Sequence, residues 1–306
     1  MQIVGLGLSA LDVLLRTYHM PTWEEGGRME SLRFDGGGPV GTALVAAARL
    51  GAQAGYIGTC GNDDIARLKM TFLTKEGIDT SQVKVRPIPE PQVVFVYVNA
   101  ASGERTFAFV DKSDRDLLQP GELDREYILS ADYLHLDGFH FEAALQAAQW
   151  MQTAGKKVVL DAGKTDQRLT QRSRELVALT DVLICGSGFA PSLTGEKDIW
   201  KAGRATLSCG PSIVVQTEGE NGSYTVTACD EFHTAAFKVD VVDTTGAGDV
   251  FHGAYITGLL HAWDLRRTAV FASAVAAIKC TQLGGRAGIP DLQVTQGFLE
   301  QNGYHF

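Results

Sequence analysis

The chain has 306 residues, 45% of them hydrophobic and 21% charged, enough apolar material for one large α/β domain or two modest ones. A net charge of -9 argues against a nucleic-acid partner, because a polyanion would meet repulsion in place of counterion release, and leaves room for a small anion in a local pocket. The five cysteines are scattered, odd in number and without a C-x-x-C pair, which fits reduced thiols in a cytoplasm better than a disulfide framework or a zinc site, and none of the seven histidines forms a metal pattern.

No run approaches the roughly eighteen apolar residues of a membrane span, and a strand pattern starts directly after Met1, so neither a span nor a signal peptide is expected. Gln2 to Gly7 reads as a buried strand, followed by a turn that reaches Asp12. Gly5, Gly7 and Ala10 match G-x-G-x-x-A, a dinucleotide fingerprint that needs a helix opening at the turn. Tyr18, Pro21, Trp23 and two glycines come instead and break any helix, so a dinucleotide-dependent oxidoreductase is the weaker reading.

Arg28 to Phe34 reads as a short strand. In Gly36 to Gly51, GGGPVGTALVAAARLG, the glycines let a backbone approach a ligand, Pro39 suits a first helical turn, and Ala43 to Leu50 is a packing face. Ala54 to Gly58 is a strand and Asp63 to Glu76 a helix, with Ile65, Leu68, Phe72 and Leu73 at helical spacing. Gln92 to Asn99 and Arg105 to Val110 form a hairpin around Gly103. Val93 to Val98 is apolar on both faces, more than a one-sided sheet can bury. These strands predict a small β lid over residues 13–34 and 90–112, whose outer face meets a second lid in a homodimer.

Strands at Tyr133 to Asp137, Lys157 to Asp161, Val182 to Cys185 and Ile213 to Gln216 alternate with helices at Phe141 to Ala154, Arg172 to Leu179 and Asp198 to Leu207. That order predicts an α/β, doubly wound, mostly parallel sheet covered on both faces, with ligands at the carboxyl ends of its strands. His135 and His140 flank a strand end; they either line a pocket or are buried with backbone partners. TEGENGSYTV, Thr217 to Val226, reads by its turn chemistry as a hairpin.

Asp240 to Ala254, DVVDTTGAGDVFHGA, is the stretch around which the rest is organised. An apolar strand-like run ends at Asp243, Gly246, Ala247 and Gly248 make a turn, and a helix continues to Leu260. Bare backbone N–H groups at such a helix start attract phosphate. Asp249 at that start either caps the helix or faces a hydroxyl awaiting deprotonation; the helix dipole predicts a depressed pKa. In phosphoryl transfer such a group orients the alcohol and takes its proton late. His252, one turn on, either orients a neighbour of Asp249 or packs.

DTTGAGDVFHGA resembles the C-terminal signature of the ribokinase, or PfkB, carbohydrate kinases, and a looser resemblance covers nearly the whole chain. It implies a ribokinase-like three-layer fold over 1–306 as one domain, and a kinase moving the γ-phosphoryl group of ATP to a sugar hydroxyl. Asp249 then matches the base, and Gly246, Ala247 and Gly248 the anion hole. Asp12, Gly37 and Gly38 match sugar contacts, Thr217, Gly219 and Gly222 match the ATP segment, and Phe271 to Cys280 with Gly284 to Ile289 match the adenine pocket. Mg2+ is implied with ATP, and a monovalent cation, K+, at Asp243 and Thr245 beside the 284–289 turn. Arg28 and Arg105 on the lid either contact an anionic substrate or are solvated.

Three departures bear on specificity. Gly41 stands where many members have an asparagine, and Glu218 brings a carboxylate into the ATP segment. CGSGFAPSLTG, Cys185 to Gly195, lacks the family's Asn-x-x-Glu acid, leaving Mg2+ to ATP, water and a carboxylate such as Asp161 or Asp243, and leaving open a sugar-binding protein with a decayed kinase site. Locally the C-terminal third is most similar to the sulfofructose kinase branch, with Phe139 near where a basic residue is expected there.

Overall fold

In this computed structural model, which describes residues 1–110, 117–165, 167 and 169–305, alternate side chains of the central strands enter two different cores. The strands are β1 Ile3–Leu6, β2 Ala10–Thr17, β3 Met29–Gly37, β4 Ala54–Ile57, β5 Thr59–Cys60, β6 Lys84–Val85, β7 Val93–Asn99, β8 Arg105–Phe109, β9 Tyr133–Leu136, β10 Lys157–Ala162, β11 Val182–Gly186, β12 Ile213–Thr217, β13 Ser223–Thr227 and β14 Glu231–Thr234. The helices are α1 Pro39–Arg49, α2 Asp64–Thr74, α3 Arg125–Leu129, α4 Phe141–Thr153, α5 Gln171–Ala178, α6 Phe189–Thr194, α7 Ile199–Leu207, α8 Ala247–Leu260, α9 Leu265–Lys279 and α10 Leu292–Gln301.

The large sheet has eight strands in the order β14-β13-β12-β11-β10-β9-β1-β4, parallel from β4 to β12 and antiparallel at β13 and β14. Ile3, Val159, Val182 and Ile184 pack with α1, α8, α9 and α10, while Val4, Leu6, Val158, Leu160 and Leu183 pack with α4, α5, α6 and α7. The two-residue period of a strand thus builds a three-layer, doubly wound fold.

A second sheet, β3-β2-β7-β8, forms the lid. Its strand β2 pairs antiparallel with β3 and parallel with β7. Val13, Leu15, Phe34, Leu32, Phe95 and Tyr97 share its outer face by register, whereas Asp12, Asp35 and Leu14 share the inner one, where Leu283 packs. Residues 111 and 112 of the expected lid lie outside the described residues.

One local expectation is met and one is corrected. The turn after β1 opens a lid strand and no helix, so the chain enters β2 where a dinucleotide fold would have its phosphate helix. Asp240 to Asp243 is not a strand: Val241 and Val242 are exposed, and the segment is held by the Val242 and Asp243 N–H groups donating to the Cys280 carbonyl at 2.8 and 3.1 Å. An apolar pair had looked like sheet because nothing local shows that its main chain binds a helix end. Short α6 and edge strand β14 were also not foreseen, being too brief for periodicity to register.

Candidate active site

Helix α8 begins at Gly246, which adopts φ 72° and caps the helix without a side-chain hydrogen bond. A positive φ at this position favours glycine, and the first-turn N–H groups beyond it have no intrahelical partners. Asp249 lies in that first turn and is partly buried. Burial raises its pKa first and the Asp137 carboxylate second; Arg286 and Lys279 pull it back, and the result is about 6. The expected depression is therefore corrected: desolvation and a like charge outweigh the helix dipole.

Asp12 on β2 faces the same cleft. It is buried, and desolvation raises its pKa to about 7, with Asp35, Asp249 and Asp243 adding to the rise and Arg286 opposing it. Gly37 lies so close that a Cβ there would overlap the Asp12 carboxyl. Gly38, at φ 83°, turns the chain from β3 into α1 against the Leu8 carbonyl. Asp12, Gly37 and Gly38 are thus brought together beside the start of α1.

Arg286 is the residue this cluster adds, from the 284–289 turn that the resemblance gave to adenine and a cation. Its side chain is buried; Nη2 donates to the Gly37 carbonyl at 2.6 Å and Nε to Thr42 Oγ1 at 3.2 Å, while its backbone N–H donates to Asp35 Oδ2 at 3.1 Å. A Cβ on Gly41 would overlap both Arg286 Nη2 and Ser9, so this guanidinium occupies the space that a side chain at position 41 would need. Arg286 Nη1 is buried without a hydrogen-bond partner. One arginine inside a glycine-rich turn was the available signal; that it points at the lid was not.

The two lid arginines part company. Arg28 is exposed before β3, at the far end of that strand from Gly36 and Gly37, so it is not brought to the cleft. Arg105 reaches across from β8 and binds Asp243 Oδ1 and Thr245 Oγ1, with Nη2 donating to Thr244 Oγ1 at 2.8 Å. It latches the lid to the loop that precedes Gly246.

Along the sheet edge, Thr217 ends β12 with Oγ1 donating to the Cys185 carbonyl at 3.2 Å. The β12–β13 turn carries Gly219, exposed at φ 58° with open space where a Cβ would go, and Gly222, buried at φ 84° against the Thr234 carbonyl. Gly219 leaves room for a ligand and Gly222 serves packing. Glu218 is partly buried, and its N–H closes the turn on the Gly222 carbonyl at 2.8 Å.

Asp137 and Asp161 end β9 and β10 and line a cavity of about 340 Å³ with Phe139, Phe141, Arg172 and Phe189. Asp137 accepts from the Leu8 and Phe139 N–H groups at 2.8 and 2.9 Å. Burial and the Asp249 charge push Asp161 well up. Behind them His252 Nε2 lies 3.5 Å from Asp161 Oδ1, and the His252 and His135 rings are 5.5 Å apart, both buried and held neutral by desolvation. His140 accepts from the Leu118 N–H at 3.1 Å, the backbone-partnered alternative. Acids closing apolar runs, YLHLD and VVLD, were the sequence signal for the first two.

The oxygens fit the two implied cations unequally. Asp161, a hard carboxylate on the cavity wall, suits Mg2+. The K+ set does not fit. The Asp243 carbonyl accepts from Lys279 Nζ at 2.9 Å, and its carboxylate accepts from Thr245 N and Gly284 N at 2.8 Å each and from Arg105. In the facing turn, the Arg286 and Ile289 carbonyls accept from Arg49 Nη1 at 2.9 and 3.0 Å.

A model of the pfkB family of carbohydrate kinases matches residues 2–292. A 5-dehydro-2-deoxygluconokinase of Shouchella clausii is 27% identical, covering 98% of this chain and 95% of its own, and the ribokinase of Haemophilus influenzae is 31% identical over 86% and 87%. The structure of Arabidopsis thaliana ribokinase complexed with ribose and ATP superposes with a TM-score of 0.83 at 22% identity, covering 98% of both chains.

Proposed function

Because the chain belongs to the pfkB family of carbohydrate kinases, whose relatives here are ATP-dependent sugar kinases, we propose that Asp249 is the base that readies a sugar hydroxyl for the γ-phosphoryl group of ATP. The observation that carries this assignment is a carboxyl in the first turn of α8, its pKa lifted to about 6, in the same cleft as buried Asp12 and the Arg286 guanidinium. A base with that pKa is ionised at neutral pH yet basic enough to receive the alcohol proton late in transfer. The N–H groups of Gly246 and Gly248, joined by that of Ala247 once it leaves the Thr244 carbonyl, bind the transferring oxygens, and Asp12, Gly37 and Gly38 hold the sugar. Arg286 takes the place of the missing asparagine side chain at Gly41, donating to a sugar oxygen once the site relaxes around the ligand.

ATP lies along Thr217 and Gly219, with Gly222 only shaping the turn, and its terminal phosphate at Gly246 to Gly248, and the Asp161 carboxylate helps to hold its Mg2+. When bound, that ion neutralises charge between the phosphates. Arg105 stabilises the closed lid and does not reach for a substrate anion. Apolar Leu32 and Phe34 on the outer lid face, 56% and 43% exposed, support a lid-to-lid homodimer. The five thiols, all unpaired, support a cytoplasmic site of action.

The test is a coupled ADP-release screen over pentoses, hexoses, sugar acids, nucleosides and sugar phosphates. ADP should appear only with the correct sugar. Asp249→Asn should lose about three or more orders of magnitude in kcat while ATP affinity stays nearly constant. Sugar binding without turnover by any phosphoryl donor would refute the kinase reading in favour of a sugar sensor.

A further inference from the structure

Helix α9 ends AVAAIKC, and its Lys279 side chain is 0% exposed. Taking an ammonium out of water costs several kcal/mol unless its charge and donors are matched. Here Nζ donates to the Asp243 carbonyl at 2.9 Å, and the Asp243 carboxylate is the leading charge that opposes the lowering of the Lys279 pKa by burial. The position at the C-terminal end of α9 adds the favourable end of the helix dipole. Just beyond it, the Cys280 carbonyl accepts from Val242 N and Asp243 N. The end of α9 therefore grips Asp243 through both its main-chain N–H and its carbonyl.

The gripped residue controls the anion hole. Asp243 Oδ1 accepts from Thr245 N and Oδ2 from Gly284 N, each at 2.8 Å, so one carboxylate ties the loop before Gly246 to the turn that carries Arg286. Thr244 continues the path, its carbonyl accepting from Ala247 N at 3.2 Å inside the anion-hole turn. The Lys279 charge is also felt at Asp249, where it favours the carboxylate. A cation behind this loop would both orient the Asp243 carbonyl and offset charge gathering at the helix start. The chain supplies such a cation covalently.

We propose that the Lys279 ammonium is a built-in monovalent cation, a positioning group for the Asp243 to Gly248 loop, and that the protein neither needs nor responds to K+. The inference rests on the kinase reading for its kinetic consequence alone. Its structural consequence, no specific stabilisation by K+, holds whatever the reaction. Lysine suits the role because its ammonium meets the Asp243 carbonyl oxygen as an alkali ion would, without an affinity threshold.

The test uses the full-length protein in tetramethylammonium buffer, with KCl replacing the organic salt at constant ionic strength. For the wild type, melting temperature and ADP release should both stay level. Lys279→Met should lower kcat by about tenfold or more, the loss of one charge-assisted hydrogen bond, with a smaller change in KM. Lys279→Ala, which opens space beside the Asp243 carbonyl, should regain turnover with K+ or NH4+ and melt higher in their presence. Wild-type protein that melts higher or turns over faster in K+ overturns the proposal, a result that needs no variant to fold. So does a Lys279→Met enzyme with full turnover, or a Lys279→Ala enzyme whose lost turnover no monovalent cation restores. Absence of kinase activity with every sugar would count against the proposed function and leave the melting comparison to decide the role of Lys279.

Discussion

Asp249 obtains a pKa of about 6 from burial and from Asp137, and the sign of each effect predicts the pH profile. The base form is lost as pH falls through that value, so kcat/KM should drop about tenfold per pH unit below about 6. Asp137→Asn keeps an amide oxygen for the Leu8 or Phe139 N–H and removes the repelling charge, so the acid limb should move to lower pH. An unmoved limb would show that Asp137 does not act on the base. Asp12, raised to about 7 from 3.8, has a stability consequence. The folded state holds this proton more tightly than the unfolded one, so the contribution is complete below about pH 4 and is lost as pH rises through about 7. Urea denaturation should show Asp12→Asn more stable than wild type at pH 8 and closer to it at pH 5, at the expense of sugar binding.

At the scale of elements, the lid is hinged on a buried ion pair. Lys69 of α2 and Glu90, both fully buried, meet at 2.8 Å where the chain enters β7. Lys69 also donates to the Thr59 carbonyl at 3.1 Å and to Gln92 Oε1 at 2.9 Å, while Glu90 accepts from Gly61 N at 3.0 Å. Lys69→Met leaves that carboxylate buried without its cation and should cost about 3–5 kcal/mol in chemical denaturation. Helix α8 depends on another close fit: a Cβ at Gly253 would overlap the Ala43 carbonyl of α1. Gly253→Val should push the two helices apart, cost about 1–3 kcal/mol or more, and lower kcat by displacing the turn that α8 carries.

For the whole molecule, the two sheets divide the labour. The eight-stranded sheet brings the carboxyl ends of β9 and β10 to the side where α8 starts, and the four-stranded lid brings Asp12 and Arg105 over it. With an inner face committed to the site, the lid's apolar outer face is left for a partner lid. Leu32→Asp combined with Phe34→Asp should turn a dimer into a monomer in sedimentation velocity; a wild-type monomer at micromolar concentration would remove the lid dimer altogether.

The sequence determined the layers and the helix start on which the kinase reading rests. Period-two apolar runs between helical stretches specify a parallel sheet covered twice, and the GAGD turn marks a helix start, because both signals are local. The sequence alone did not decide which distant groups converge. Arg286 enters the cleft beside Asp12 245 residues after Gly41, whose empty side-chain space it fills, and Lys279 reaches the Asp243 carbonyl from the end of α9. The rise of the Asp249 pKa likewise comes from burial first and then from Asp137, far away in the chain. Charge and desolvation act through space, so only the tertiary structure decides them.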